Sequence, residues 1–211
     1  MPPSSLVTLV GALMLLAYLC GSWLGALSVC RLAGLGDPRQ EGSCNPGFSN
    51  MLRLHGPRLA LTTLMLDAVK GVPVLLIAKA LALPNGAQGL IGLCVLLGHS
   101  YPIWYGFKGG KAVASAFGVL LVLTPSLALI CAACWMVLAW RVRTAAVASL
   151  VSAMLAPVLA WWLAPDYLWM VAAITLLVLL RHGLNIRRLR QKAEPRLDQA
   201  SGSSQNDRFN R

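Results

Sequence analysis

Charge is what this sequence has least of. Aspartate, glutamate, lysine and arginine together make up 12% of the 211 residues, against roughly 25% in an average soluble domain. Acidic residues are the scarcer kind, 7 against 18 lysines and arginines, for a formal net charge of +11. With 57% hydrophobic residues and a mean hydropathy of +0.68, the composition excludes a disordered chain and fits an ordinary soluble domain poorly. The positive excess does not point to nucleic acid, because the basic residues are not interleaved with aromatics along a polar face. They sit at the ends of long apolar runs, the pattern of a polytopic membrane protein under the positive-inside rule.

Other absences narrow the class further. There is no disulfide framework, since all the cysteines except Cys44 lie within apolar runs. Cys131 and Cys134 have a metal-ligand spacing but no second pair, and read as small packing residues. No basic segment precedes the first apolar run and no small-residue cleavage site follows it, so that run is read as a retained helix. No internal repeat is visible, inverted or otherwise, which argues against a secondary transporter.

What is present is a series of runs near the roughly 20 residues that a bilayer core requires. They cover about Leu6 to Val29, Pro57 to Leu83, Leu90 to Tyr105, Ala112 to Leu123, Ser126 to Trp140, Ala145 to Leu163 and Asp166 to Leu180. The expected fold is therefore an all-α polytopic integral membrane protein of about seven transmembrane helices, or five if the short ones are re-entrant. Residues 1–190 form one transmembrane domain, and 191–211 a polar, basic tail without fixed structure. Four polar segments (34–56, 106–111, 141–144 and the tail) hold or flank every basic residue except Lys70 and Lys79. An odd number of helices puts all four on one side, so the C-terminus is expected in the cytoplasm and the N-terminus outside. Asp67 and Lys70 form an i, i+3 pair inside a span, where ionisable groups must face the protein interior. Gly21 and Gly25 have the G-x-x-x-G spacing of a helix-packing face.

The polar segments carry the candidate chemistry. In the first, Gly42 and Gly47 permit tight turns; Ser43, Asn45, Ser49 and Asn50 offer hydrogen-bonding groups; Arg53 brings a fork suited to phosphate or carboxylate. A loop of this kind leading into a helix suits an anion. In the second, Lys108 and Lys111 bracket Gly109-Gly110 directly before a helix start, again favouring phosphate. Ala112 stands where a nucleotide-binding P-loop would have Ser or Thr, so nucleotide hydrolysis is not indicated. His99, taken alone, reads more readily as a packed histidine than as a catalyst. In the third, His182 and Asn185 share a helix face if the helix continues, while Arg187, Arg188 and Arg190 read as membrane-surface anchors.

The three segments together resemble the bacterial acyl-phosphate:glycerol-3-phosphate acyltransferase family, PlsY. Its first signature, GSGNxGxTNxxR, is matched by Gly42-Ser43-Cys44-Asn45-Pro46-Gly47-Phe48-Ser49-Asn50-Met51-Leu52-Arg53. Its second, GHxxPxxxxFKGGKGVAT, is matched from Gly98-His99 through Phe107-Lys108-Gly109-Gly110-Lys111-Ala112-Val113-Ala114-Ser115. Its third, HRENIxRL, is matched by His182-Gly183-Leu184-Asn185-Ile186-Arg187-Arg188-Leu189. Order and spacing agree over about residues 6–190.

The resemblance implies transfer of a fatty acyl group from acyl phosphate to the 1-hydroxyl of glycerol 3-phosphate, without metal or cofactor. The site would face the cytoplasm from the bacterial inner membrane. It implies catalytic roles for Ser43, Arg53, His182 and Asn185. It implies substrate contacts from Gly42, Asn45, Gly47, Asn50, His99, Lys108, Gly109, Gly110, Lys111 and Ser115, and from Arg143 and Ser149 around the start of the sixth helix. The partners it implies are the two substrates and membrane lipid, extending to other enzymes of phospholipid synthesis, with no nucleic acid. The base is left open between His182 and a phosphate of the substrate. An anion transporter and a catalytically weakened scaffold relative are the competing readings. The sequence departs from the family pattern at Cys44 and Ala112, which replace glycines, at Leu184, which replaces Glu, and at Ala146, where serine is usual. A residue replacing glycine must take negative φ or accept strain of about 1 kcal/mol or more.

Overall fold

The apolar runs fold as helices, and a computed structural model describes residues 2–199. Among these residues there are ten α-helices and no strand. They are α1 (Pro3–Ser22), α2 (Gly25–Leu32), α3 (Phe48–Val69), α4 (Val72–Ala80), α5 (Asn85–Ser100), α6 (Val113–Leu123), α7 (Pro125–Val142), α8 (Ala145–Leu163), α9 (Leu168–Arg181) and α10 (Gly183–Arg190). Short 3-10 turns lie at Ile103–Tyr105 and Pro165–Tyr167. Three stretches, α1, α7 and α8, are each long and apolar enough to cross a membrane, as is the run formed by α3 with α4. The pair α9–α10, bent by 56°, makes a fifth if counted as one span. At 11 residues, α6 reaches only about 17 Å, well short of a hydrocarbon core of about 30 Å.

The first run, expected as one helix to Val29, is broken at Trp23–Leu24, and the break explains the buried ion pair. Lys70 Nζ donates to the Trp23 carbonyl (2.8 Å), and Asp67 Oδ1 accepts from the Gly25 amide (3.1 Å). A cation thus meets the C-terminal end of α1 and an anion the N-terminal end of α2, matching the two helix dipoles. Lys70 and Asp67 also pair with each other at 3.2 Å, both side chains 2% exposed. Gly21 and Gly25 consequently lie on different helices rather than forming one face. Gly21 abuts the Val95 backbone of α5, and Gly25 abuts Leu66 and Thr63 of α3.

The second run begins earlier than expected, at Phe48, and contains a kink. Gly56, at φ 82° and ψ 179°, bends α3 immediately before Pro57. Such a φ is open to glycine and strained for other residues. The third run also starts earlier and ends earlier, at Ser100, because Pro102 cannot continue a helix.

The connections gather at two ends. At one end, Asn85 donates to Asp166 and Tyr167 donates to Asn85 and Gln88, joining the first turn of α5 to the turn before α9. At the other end meet the 33–47 loop, the 101–112 loop, the α7–α8 turn and residues 182–199, linked by the contacts below. Residues 191–199 of the segment read from composition as an unstructured tail lie against the rest of the chain. Ala193 N–H donates to Arg188, Leu197 N–H donates to the Arg143 carbonyl (2.8 Å), and Arg143 pairs with Asp198 (3.0 Å). Residues 200–211 of that segment lie outside the described residues.

Candidate active site

The first loop is built around one buried side chain. Asn50, on the first turn of α3, is fully buried. Its Oδ1 accepts from the Ser43 amide (2.9 Å), and its Nδ2 donates to the carbonyls of Pro38 (2.9 Å) and Glu41 (3.1 Å). Gly42, at φ +59°, lies against the same amide, which leaves no room for a Cβ. Held in this way, Ser43 presents its Oγ to Arg53, whose Nη2 donates to it across 3.1 Å. Asn50 therefore supports the loop through three hydrogen bonds.

Upstream, Asp37 and Arg39 form a two-toothed ion pair (2.7 Å at the closest), and the guanidinium holds the Asp37 carboxyl below the usual range. Arg39 continues to the second loop, donating to the carbonyls of Tyr105 (3.2 Å) and Lys108 (3.3 Å).

The Gly109-Gly110 pair is required by close approach. Gly110 N–H donates to the His99 carbonyl (3.1 Å), and a Cβ at either glycine would collide with His99. His99 is itself buried, its Nδ1 2.7 Å from Lys70 Nζ and 3.6 Å from Asp67 Oδ1. Ser115 Oγ donates to the Asp67 carbonyl (3.0 Å). His99 and Ser115, expected as substrate contacts, are placed beneath the loop. His99 Nδ1 and Ser115 Oγ are turned to the Asp67–Lys70 segment at the end of α3, which satisfies them away from water, while His99 Nε2 lies against Gly110 of the second loop.

At the junction of α9 and α10, Arg181 donates from Nε to Gly110 (3.0 Å) and from Nη2 to Gly109 (2.8 Å). The next residue, His182, is 2% exposed, with Nδ1 2.8 Å from the Val178 carbonyl. A carbonyl only accepts, so Nδ1 carries the proton and Nε2 is the acceptor in the neutral ring. Asn185 Nδ2 donates to Glu194, whose other carboxylate oxygen is buried without a hydrogen-bond partner among the described residues.

These pieces converge electrostatically on Lys111. Burial lowers its ammonium to about 8; Arg53, Arg188 and Arg181 push the same way, and Glu194 acts against them. Residues from all three sequence signatures thus share one cationic site at one end of the helices, suited to anions.

The profile of the glycerol-3-phosphate acyltransferase family matches residues 11–192. The chain belongs to that family. A curated glycerol-3-phosphate acyltransferase from Chromohalobacter salexigens is 58% identical over 186 residues, covering 88% of this chain and 91% of its own. One from Citrobacter koseri is 40% identical over 185 residues, covering 88% and 90%. The solved structure of PlsY, an integral membrane glycerol 3-phosphate acyltransferase, in its glycerol 3-phosphate form is 34% identical with a TM-score of 0.82. It covers 89% of this chain and 94% of that one. With this likeness and the apolar helices, the chain is a multi-pass membrane protein.

Among the remaining expected site residues, Gly47 precedes α3 and its amide donates to the Asn45 carbonyl (2.9 Å), forming the turn into that helix. Lys108 is exposed and joined to the other elements through its carbonyl. Ser149, expected to contact substrate, accepts from Trp135 Nε1 (2.9 Å) between α7 and α8. Arg143 is occupied by Asp198. Sequence reading passed over Arg39, Arg181 and Glu194. For Glu194 the one signal was a lone carboxylate in a run of basic residues.

Both departures from the family glycines fall at positive φ: Cys44 at 60° and Ala112 at 59°. For a residue with a Cβ this region costs about 1–2 kcal/mol. Restoring glycine also adds about 0.4–1 kcal/mol of unfolded-state freedom, and at Ala112, 1% exposed, removes a buried methyl worth about 0.8 kcal/mol. Cys44→Gly is therefore expected to stabilise by up to about 1 kcal/mol, and Ala112→Gly to be near neutral, as read from thermal unfolding midpoints in detergent. A stability loss at Cys44→Gly would contradict the strain.

Proposed function

We propose that this protein transfers a fatty acyl group from acyl phosphate to the 1-hydroxyl of glycerol 3-phosphate, giving lysophosphatidic acid and phosphate. The observation that carries the reading is the Ser43–Arg53 pair beside the Lys111 cluster, in a member of this acyltransferase family.

Acyl phosphate is a mixed anhydride and already activated, so positioning and charge stabilisation are the main requirements. The glycerol hydroxyl oxygen attacks the acyl carbon, the acyl–oxygen bond to phosphate breaks, and the hydroxyl proton is taken by a base. Arg53 and Ser43 would stabilise the charge developing on the donor. Lys108 and Lys111 would hold the glycerol phosphate. His182 Nε2, the acceptor of its ring, and a phosphate oxygen of the substrate are the two candidates for the base. Asn185 would line the same site. Neither a metal nor a cofactor enters these steps.

We further propose seven membrane passages, with α5 and α6 as short ones, and the site on the cytoplasmic side of the bacterial inner membrane. The loops at the site end carry the basic residues, which supports this orientation. Asp67, Lys70 and His99 are tied to one another and to the helix break, so they do not line an aqueous path, which disfavours the transporter reading.

Lys111 supplies a pH signature. Its ammonium binds phosphate only when protonated, and its value of about 8 places the loss within the working range. The kcat/KM for glycerol 3-phosphate is expected to fall as pH rises through about 8. The limb of kcat should lie at higher pH, since bound phosphate favours the ammonium. Lys111→Arg should abolish the limb; its persistence would exclude Lys111 as its source.

The deciding experiment supplies purified protein in lipid with palmitoyl phosphate and glycerol 3-phosphate, and follows both products. Equal amounts of phosphate and lysophosphatidic acid are expected. Phosphate without lysophosphatidic acid, or no product, would overturn the reading.

A further inference from the structure

Two arginines given no role above grip the second loop from opposite flanks, by the same device. Arg39 lies with its guanidinium 5.5 Å from the ring centroid of Tyr105 and donates from Nη1 to the carbonyls of Tyr105 and Lys108, at 3.2 and 3.3 Å. Its other edge is fixed by Asp37, Nη2 to Oδ2 at 2.7 Å. Arg181 lies 5.1 Å from the ring centroid of Tyr101 and donates to the carbonyls of Gly110 and Gly109, at 3.0 and 2.8 Å. In each case a planar cation rests on a tyrosine of the loop and takes two of its carbonyl oxygens. Only a guanidinium combines the flat face with a fork of donors at fixed geometry.

The placement of the two side chains gives the pattern its meaning. Arg39 belongs to the loop of Ser43, and Arg181 immediately precedes His182. The lysine loop is therefore referenced to both other parts of the site through these side chains. Four of its carbonyls, each a partial negative charge beside an anion site, are also matched by cations. The Ser43 loop does not depend on either bracket, because Asn50 fixes it through three separate hydrogen bonds.

We infer that Arg39 and Arg181 are positioning residues for glycerol 3-phosphate, holding the Tyr105–Lys111 segment in register with Ser43 on one side and His182 on the other. This rests on the acyltransferase reading above and names the groups that set its acceptor affinity.

The test is Arg39→Lys and Arg181→Lys, which keep the charge and lose the fork. Each is expected to raise KM for glycerol 3-phosphate at least tenfold, while KM for palmitoyl phosphate changes less than twofold. The thermal midpoint in detergent should stay within a few degrees. Lysine variants with wild-type KM would overturn the inference and leave simple charge attraction. An equal rise in both KM values would overturn it as well, in favour of a general structural role. Should Arg181→Lys fail to fold, Tyr101→Leu removes the exposed ring under Arg181 and is expected to raise the same KM three- to tenfold. An unchanged KM there would count against the bracket. Failure of the wild-type enzyme to form lysophosphatidic acid would instead overturn the acyltransferase reading itself, so the two failures are distinct.

Discussion

Arg53→Ala is expected to lower kcat/KM by about 10²–10³-fold, equivalent to roughly 3–4 kcal/mol of transition-state stabilisation. The guanidinium is the group that meets Ser43 Oγ, at 3.1 Å. It also contributes to the field on Lys111. Its loss would remove a donor aimed at developing charge and release the serine hydroxyl at the same time. Arg53→Lys keeps the charge without the fork and should recover only part of the activity. Steady-state rates in mixed micelles, with both substrates varied, would read this directly. A variant within threefold of wild type would show that Arg53 lies away from the reacting atoms.

The second large effect concerns folding. Asp67→Ala would leave the Lys70 ammonium buried without its counter-charge and the Gly25 amide without its acceptor. Breaking a buried pair in this way typically costs about 3–5 kcal/mol. The loss should appear as a lower thermal midpoint and a reduced yield of folded protein in detergent. Adding Lys70→Met removes the stranded charge, so the double variant is expected to be more stable than Asp67→Ala alone. If the two changes instead summed to a larger loss, the coupling between the groups would be refuted.

What could be read from the sequence follows the range of each interaction. The bounds of α8 were legible to the residue, because Arg143-Thr144 precedes and Pro165-Asp166 closely follows a mainly apolar run. The glycine and lysine signals at 42–47 and 108–111 marked segments that do meet at one end. The break after Ser22 was not legible: residues 17–30 are apolar or small throughout, and the groups that stabilise the break arrive from α3, more than forty residues later. For the same reason the buried partners of His99 and Ser115 were not legible. Nothing local distinguishes a polar side chain facing substrate from one facing a buried carboxylate or its backbone. Arg39 and Arg181 act at separations of about seventy residues through backbone carbonyls, and a carbonyl leaves no mark in composition. Glu194 was obscured by the basic residues around it, which made its segment resemble a solvated tail.

The interrupted first helix also bears on how the chain enters a bilayer. A carbonyl and an amide left open in hydrocarbon each cost several kcal/mol, and the two at this interruption are satisfied by Lys70 and Asp67. Until α3 has been synthesised, the nascent N-terminal segment therefore has no low-energy resting place in lipid in its final shape. Either it enters as a straight helix that later bends, or it stays beside the insertion machinery until α3 arrives. Both routes make docking of α3 against α1 and α2 an early and obligatory event in biogenesis. A chain truncated before residue 67 is accordingly expected to insert with its first helix unbroken.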